Sequence, residues 1–294
     1  VDVNRFFLAL LTLTIYSCKD ATNESDTIQF DQPLKVEVMG YSDDIMEPFL
    51  SRGGDTLFFN NSNDPSVNTN LHFAVKVDDL KFTYIGEVRF ANTPYLDGVP
   101  SVDNSNRFFF VSTRSYGQSL STIYCGIFRK DSLTNVELVQ SISKNMSGWV
   151  NFDAEISRDG NYLFFVDGRF DENGGPYEAD FYLAKKENGA LKRVLDNSTF
   201  INVNTSALEY AACLSSNMLE LYFTRVSVPF SATSEPQIFV AIRSSNNTPF
   251  GKPYKINSIS GFVEAPTISP DNRMIYYHKK EGGKYVLYMV RKSE

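Results

Sequence analysis

The feature that most constrains this chain is a repeated unit, most complete over residues 238–277. The unit holds an apolar strand, a Phe250-Gly251-Lys252-Pro253 turn and a short strand around Tyr254. An acid, Glu264, and the step Pro266-Thr267-Ile268-Ser269 follow. A Pro270-Asp271-Asn272 turn, whose residue types suit turn backbone, then leads into the apolar run at 274–277. Weakened copies of the step occur at Pro48-Phe49-Leu50-Ser51, Pro100-Ser101-Val102-Asp103, Ala154-Glu155-Ile156-Ser157 and Ala212-Cys213-Leu214-Ser215. The five copies lie 52 to 58 residues apart. A period of this kind belongs to chains built from small units that bury their faces only against their neighbours.

After each copy comes a run that is apolar at consecutive positions: Leu57-Phe58-Phe59, Phe108-Phe109-Phe110, Leu163-Phe164-Phe165, Leu221-Tyr222-Phe223 and Ile275-Tyr276-Tyr277. A strand without alternation needs both faces covered, as happens when sheets stack radially. The expectation is an all-β propeller of five four-stranded blades, with these aromatic pairs forming the core between blades. The last unit is one strand short, and residues 34–39 alternate as a strand before the first unit. That N-terminal strand is expected to supply the missing outer strand and close the ring, which removes exposed sheet edges.

Ile268-Ser269-Pro270-Asp271, Ser157-Arg158-Asp159-Gly160 before Tyr162-Leu163-Phe164-Phe165, and Phe250-Gly251-Lys252-Pro253 together resemble the TolB-type, WD-repeat-like propeller family of bacterial envelope proteins. The resemblance runs from about Pro33 to Glu294. It implies a propeller that contacts other envelope proteins or glycans. Asp103-Asn104-Ser105-Asn106 and Ser215-Ser216-Asn217 depart from the family's Pro-Asp-Gly turn.

The N-terminus suggests an address. Arg5 precedes an apolar run over residues 6–16 that is too short to span a bilayer and reads as a signal-peptide core, assigned to residues 1–17. Ile15-Tyr16-Ser17-Cys18 resembles a lipobox, making Cys18 the expected lipidation site. Residues 18–32 are polar and read as a flexible tether, leaving 33–294 as the propeller domain. The expected location is the bacterial cell envelope, at the outer membrane, held by the lipid alone.

Net charge is −7. A nucleic-acid partner would call for a basic footprint, so none is expected. Two loops of each blade should share one face, and that face collects the candidate binding residues. Acids recur where the chain enters each unit: Glu47, Asp97, Asp153, Glu209 and Glu264. Gathered carboxylates can hold a cation or supply an acid–base pair for glycoside cleavage, whereas carboxylates that cap backbone amides are structural. Arg114, Arg169 and Arg225 follow the second strand of three successive units and could either cluster around an anion or pair with those acids. Trp149 and the long connection 167–178 belong to the same face.

Catalytic motifs are otherwise missing from the sequence: it has two histidines, no Gly-x-Ser-x-Gly and no His-Glu-x-x-His. His72 reads as a packed strand residue, and Cys125 and Cys213 as reduced core residues in different blades. No metal or cofactor is expected. The principal expectation is a non-enzymatic binding or scaffold module for envelope proteins or glycans. The alternative is a five-bladed carbohydrate-active enzyme, a glycosidase or lyase, using acids at the channel mouth.

Overall fold

A computed structural model describes residues 27–293 apart from Pro65 and Ala232. The expectations for the signal peptide and Cys18 therefore lie outside the described residues. Two short strands come first, β1 (Leu34–Lys35) and β2 (Glu37–Met39). Blade 1 is β3 (Met46–Leu50), β4 (Thr56–Asn60), β5 (Leu71–Asp78) and β6 (Lys81–Glu87). Blade 2 is β7 (Asp97–Val102), β8 (Arg107–Ser112), β9 (Ile123–Arg129) and β10 (Ser132–Leu138). Blade 3 is β11 (Trp149–Ile156), β12 (Tyr162–Asp171), β13 (Gly174–Glu187) and β14 (Ala190–Arg193). Blade 4 is β15 (Leu208–Leu214), β16 (Glu220–Val226), β17 (Gln237–Ile242) and β18 (Tyr254–Lys255). Blade 5 is β19 (Val263–Ile268), β20 (Met274–Glu281) and β21 (Lys284–Arg291), with β1 as its outer strand. The fold is the expected five-bladed propeller.

Successive residues of the second strands point into different seams. Phe58 packs with Phe108 and Phe110 between blades 1 and 2, while Phe59 packs with Met274 and Tyr276 between blades 5 and 1. Phe109 and Phe165 share the next seam, Phe164 and Phe223 the one after, and Tyr222 and Tyr277 the last. Each seam thus draws one cluster from two blades, which is why the runs cannot alternate.

The repeated serine has a local cause. Ser51, Ser157, Ser215 and Ser269 each accept, through Oγ, the amide five residues on, at 2.9 to 3.0 Å, which fixes the turn between the first two strands. Asp103 accepts the Arg107 amide, four residues on, through Oδ1 at 2.9 Å, so blade 2 keeps the turn without its serine.

Three expectations need correction. Residues 34–39 are not one strand: Leu34 and Lys35 pair antiparallel with Met289 and Tyr288 of blade 5, while β2 runs parallel to β6 and makes blade 1 five-stranded. One stretch therefore clasps the last blade to the first, with Val36 and Val38 buried beneath it. Residues 27–32 are not a loose tether. Ile28 donates its amide to the Tyr254 hydroxyl at 2.9 Å, and Phe30 bridges to Lys292 and meets Tyr222 edge-on, because both apolar side chains find cover there. The domain begins by residue 27 rather than 33. Finally, residues 167–178 are not a loop but the end of the β12–β13 hairpin, which extends past the rest of the sheet.

Candidate functional site

All five inner strands shift register midway: Met46/Phe49, Gly98/Ser101, Asn151/Asp153, Tyr210/Cys213 and Glu264/Thr267. Bulges of this kind bend a strand and re-aim its side chains. In four blades the bulge holds a non-glycine residue at positive φ: Glu47 (46°), Val99 (54°), Ala211 (56°) and Ala265 (53°). Their amides turn away from their own ladder and need acceptors from the preceding blade. Val99 donates to Asn60 Oδ1 at 3.0 Å, Ala265 to Thr224 Oγ1 at 3.0 Å and Glu47 to His278 Nδ1 at 3.1 Å. Asn60, Thr224 and His278 occupy the same position, three residues after Leu57, Leu221 and Ile275 in the second strand. Blade 3 has Val166 there, and Asp153 takes over: its Oδ2 accepts the Ala211 amide at 2.8 Å.

The five acids divide into two groups. Asp97 and Glu209 are structural. The Thr93 and Thr205 hydroxyls, four residues upstream, each donate to them at 2.6 Å. Arg114 reaches Asp97 at 2.6 Å and Arg225 reaches Glu209 at 2.7 Å. Arg169 pairs with exposed Glu178 at 2.6 Å. The three arginines therefore form no cluster, since each has a carboxylate beside it. Asp167 is likewise occupied, receiving Arg193 through two nitrogens at 2.8 Å and Asn151 at 2.7 Å.

Glu47, Asp153 and Glu264 instead converge on the axis, each at most 9% exposed. Asn63 donates to Glu47 Oε1 at 2.7 Å. His278 Nε2 lies 3.1 Å from Glu264 Oε2, and the Tyr210 hydroxyl donates to Glu264 Oε1. Burial drives the Asp153 carboxyl well above the ordinary range, and the charges of Glu47 and Glu264 push it further. Burial also raises Glu47. Among the described residues, Glu47 Oε2 and Asp153 Oδ1 have no hydrogen-bond partner on the protein.

Both side chains line a central cavity of about 20 Å³, walled by the bulge residues and by Pro48, Pro100 and Pro266. Such a volume holds about one water molecule. Below it Arg52 closes the axis, donating to Glu155 Oε1 at 3.0 Å and to the Val102 carbonyl at 2.9 Å, while Ser101 donates to Glu155 Oε2 at 2.9 Å. The Arg52–Glu155 pair therefore lies at one end of the cavity, and Glu264, bonded to Tyr210 and His278, and Asn63, bonded to Glu47, lie outside its lining.

Trp149 opens β11 opposite Arg169, with Lys144 Nζ 3.1 Å above its ring, so that face is already covered. The β12–β13 hairpin rises beside it. Gly168 is required where Phe152 crosses, since a Cβ there would meet that ring at 2.4 Å. Among the described residues no group of His, Cys, Asp and Glu is arranged to hold a metal ion. His72 is buried, and Cys125 and Cys213 are buried free thiols. His278 escaped the sequence reading as a site residue. The signal that could have found His278 is a polar residue directly after an aromatic pair, shared with Asn60 and Thr224.

No protein-family model matches the chain, and no curated protein matches it. Among solved structures it is similar to a glycoside hydrolase at a TM-score of 0.61 and 10% identity, over 91% of this chain and 93% of that one. It is similar to the native arabinanase of Bacillus subtilis at 0.54 and 12%, over 84% and 94%. TolB from Acinetobacter baumannii superposes at 0.47 and 16%, over 86% of this chain and 55% of that one. At these identities the likeness to the glycoside hydrolase and the arabinanase bears on the fold alone, and it agrees with the propeller described above.

Proposed function

We propose that the channel mouth is a glycan-processing site in which Asp153 and Glu47 form the acid–base pair for hydrolysis of a glycosidic bond. The observation that carries this reading is that these two carboxyl residues, from blades 3 and 1, line the same water-sized cavity and each have one oxygen without a protein partner. Asp153, with its raised affinity for a proton, donates to the glycosidic oxygen as the C–O bond breaks. Glu47 takes a proton from the water that attacks the sugar carbon. Glu264, saturated by His278 and Tyr210, takes no proton in either step. The similarity of the fold to glycoside hydrolases supports the reading as analogy.

The test is release of reducing ends from a polysaccharide panel that includes arabinan. Glu47→Gln and Asp153→Asn should each lower the rate at least about 100-fold, the scale of general acid–base catalysis, while Asp97→Asn retains it. A panel without any product would overturn the reading.

A second reading is favoured by the size of the cavity, which admits a water but no sugar ring. In it the axial acids are structural, and the loops of that face bind an envelope protein or glycan without cleaving it. Retention on a glycan column without product would support it. Kinship with the TolB-type repeat and lipid anchorage through Cys18 at the outer membrane belong to the same proposal, supported by the sequence motifs alone.

A further inference from the structure

His278 sits fully buried on β20, at the seam where the last blade meets the first. Its ring is met from every side. The Glu47 amide on β3 donates to Nδ1 at 3.1 Å, Glu264 on β19 faces Nε2 at 3.1 Å, and Tyr285 on β21 lies edge-on with centroids 5.3 Å apart. A backbone amide can only donate, so Nδ1 is the acceptor and the ring proton sits on Nε2. His278 therefore donates to Glu264, whose other oxygen already accepts from Tyr210 on β15. Two donors on two oxygens is the pattern of a carboxylate. A second ring proton would have to sit on Nδ1 against the Glu47 amide, donor facing donor.

We infer that His278 is a positioning residue: fixed as the Nε2–H tautomer by the Glu47 amide, it clamps Glu264 as a carboxylate on the channel axis. The contact joins blade 5 to blade 1 inside the ring, where β1 and β2 join the same blades outside it. The clamp also ties the backbone of Glu47 to the side chain of Glu264. Its catalytic meaning rests on the proposed glycan hydrolysis. Within that reading, a fixed negative charge at Glu264 adds to burial and to the charge of Glu47 in holding the proton on Asp153 between turnovers.

The test uses the whole propeller, labelled with ¹⁵N-histidine and ¹³C-aspartate and observed by NMR, and needs no substrate. The neutral imidazole of His278 should show the Nε2–H tautomer. His278→Ala and Tyr210→Phe should each shift the Asp153 titration midpoint downward, whereas His278→Gln, whose amide nitrogen can reach the Nε2 position, should keep it near the wild-type value. A proton on Nδ1, or an unchanged Asp153 midpoint in Tyr210→Phe, would overturn the inference. If His278→Ala does not fold, the wild-type tautomer and Tyr210→Phe still decide. Failure of the polysaccharide assay leaves these readouts intact, so the clamp and the catalytic reading fail separately.

Discussion

Arg52, in the turn after the first strand of blade 1, reaches Glu155 on the first strand of blade 3, 3.0 Å away, with both side chains less than 10% exposed. The pair lies under the axial cavity, and its further bonds to the Val102 carbonyl and from Ser101 draw in blade 2. Leu214 of blade 4 donates its amide to the same carboxylate at 3.4 Å. One ion pair thus links four blades at the point where the channel ends.

Breaking that pair from one side leaves a buried charge without its partner. Arg52→Ala should destabilise the protein by about 3–5 kcal/mol, read by urea unfolding. Replacing both partners, as Arg52→Met with Glu155→Gln, should cost much less. Similar losses for the single and double variants would mean that the arginine acts by packing alone.

Deleting residues 27–39 should open the ring at both ends of the clasp. Val36 and Val38 alone account for about 3–6 kcal/mol of apolar burial. With the lost strand pairing, the melting temperature should fall by roughly 10 °C or more. An unchanged melt would show that the His278 contact and the blade seam suffice for closure.

The stability of the protein should depend on pH through Asp153. Its raised folded-state pKa means that the folded chain keeps a proton the unfolded chain has released above about pH 4. Stability from this group is therefore highest at low pH and falls as pH rises toward the folded pKa. Asp153→Asn removes that loss, and its amide oxygen can still accept from Ala211. The variant should be more stable than wild type at pH 7, with the difference closing toward pH 4. Equal stability at pH 7 would contradict the assignment.

Cys18→Ala should release the protein from membranes into the aqueous phase on detergent partitioning, and retention would rule out the lipid anchor. The described chain starts near Phe30, which pairs with Lys292, and the Lys292 amide bonds to the Arg273 carbonyl in the turn after β19. That is the end of blade 5 away from Glu264, so an anchored protein should present the channel mouth to solution. In lipid-bound protein, Asn63→Cys should accordingly react with a membrane-impermeant maleimide.

Much of the architecture was legible in the residues. The five copies of the repeated step, two of them Pro-x-apolar-Ser and three weakened, and the unalternating runs such as Leu57-Phe58-Phe59 specify strands covered on both sides, and local patterning is enough to count blades. The repeated serines are legible for a similar reason, since each makes its bond five residues away. The clasp was legible only in part. Residues 34–39 alternate as one strand, but Leu34 and Lys35 pair with blade 5 and Glu37 to Met39 with blade 1, which no single-strand pattern can express.

The site was decided by the tertiary structure. The sequence placed an acid at the start of every unit but could not sort Asp97 and Glu209, neutralised by arginines one strand away, from Glu47, Asp153 and Glu264. That sorting depends on bulges that each insert one extra residue into the inner strand, and in a strand a one-residue offset turns a side chain to the other face. It depends too on His278, which is distant in sequence from Glu47 and meets it only because the ring closes. Periodicity determines which strands form and how they stack, because those interactions are local or repeat from unit to unit. Which carboxylates share the axis is set by closure and by bulge geometry, which appear only once five blades meet.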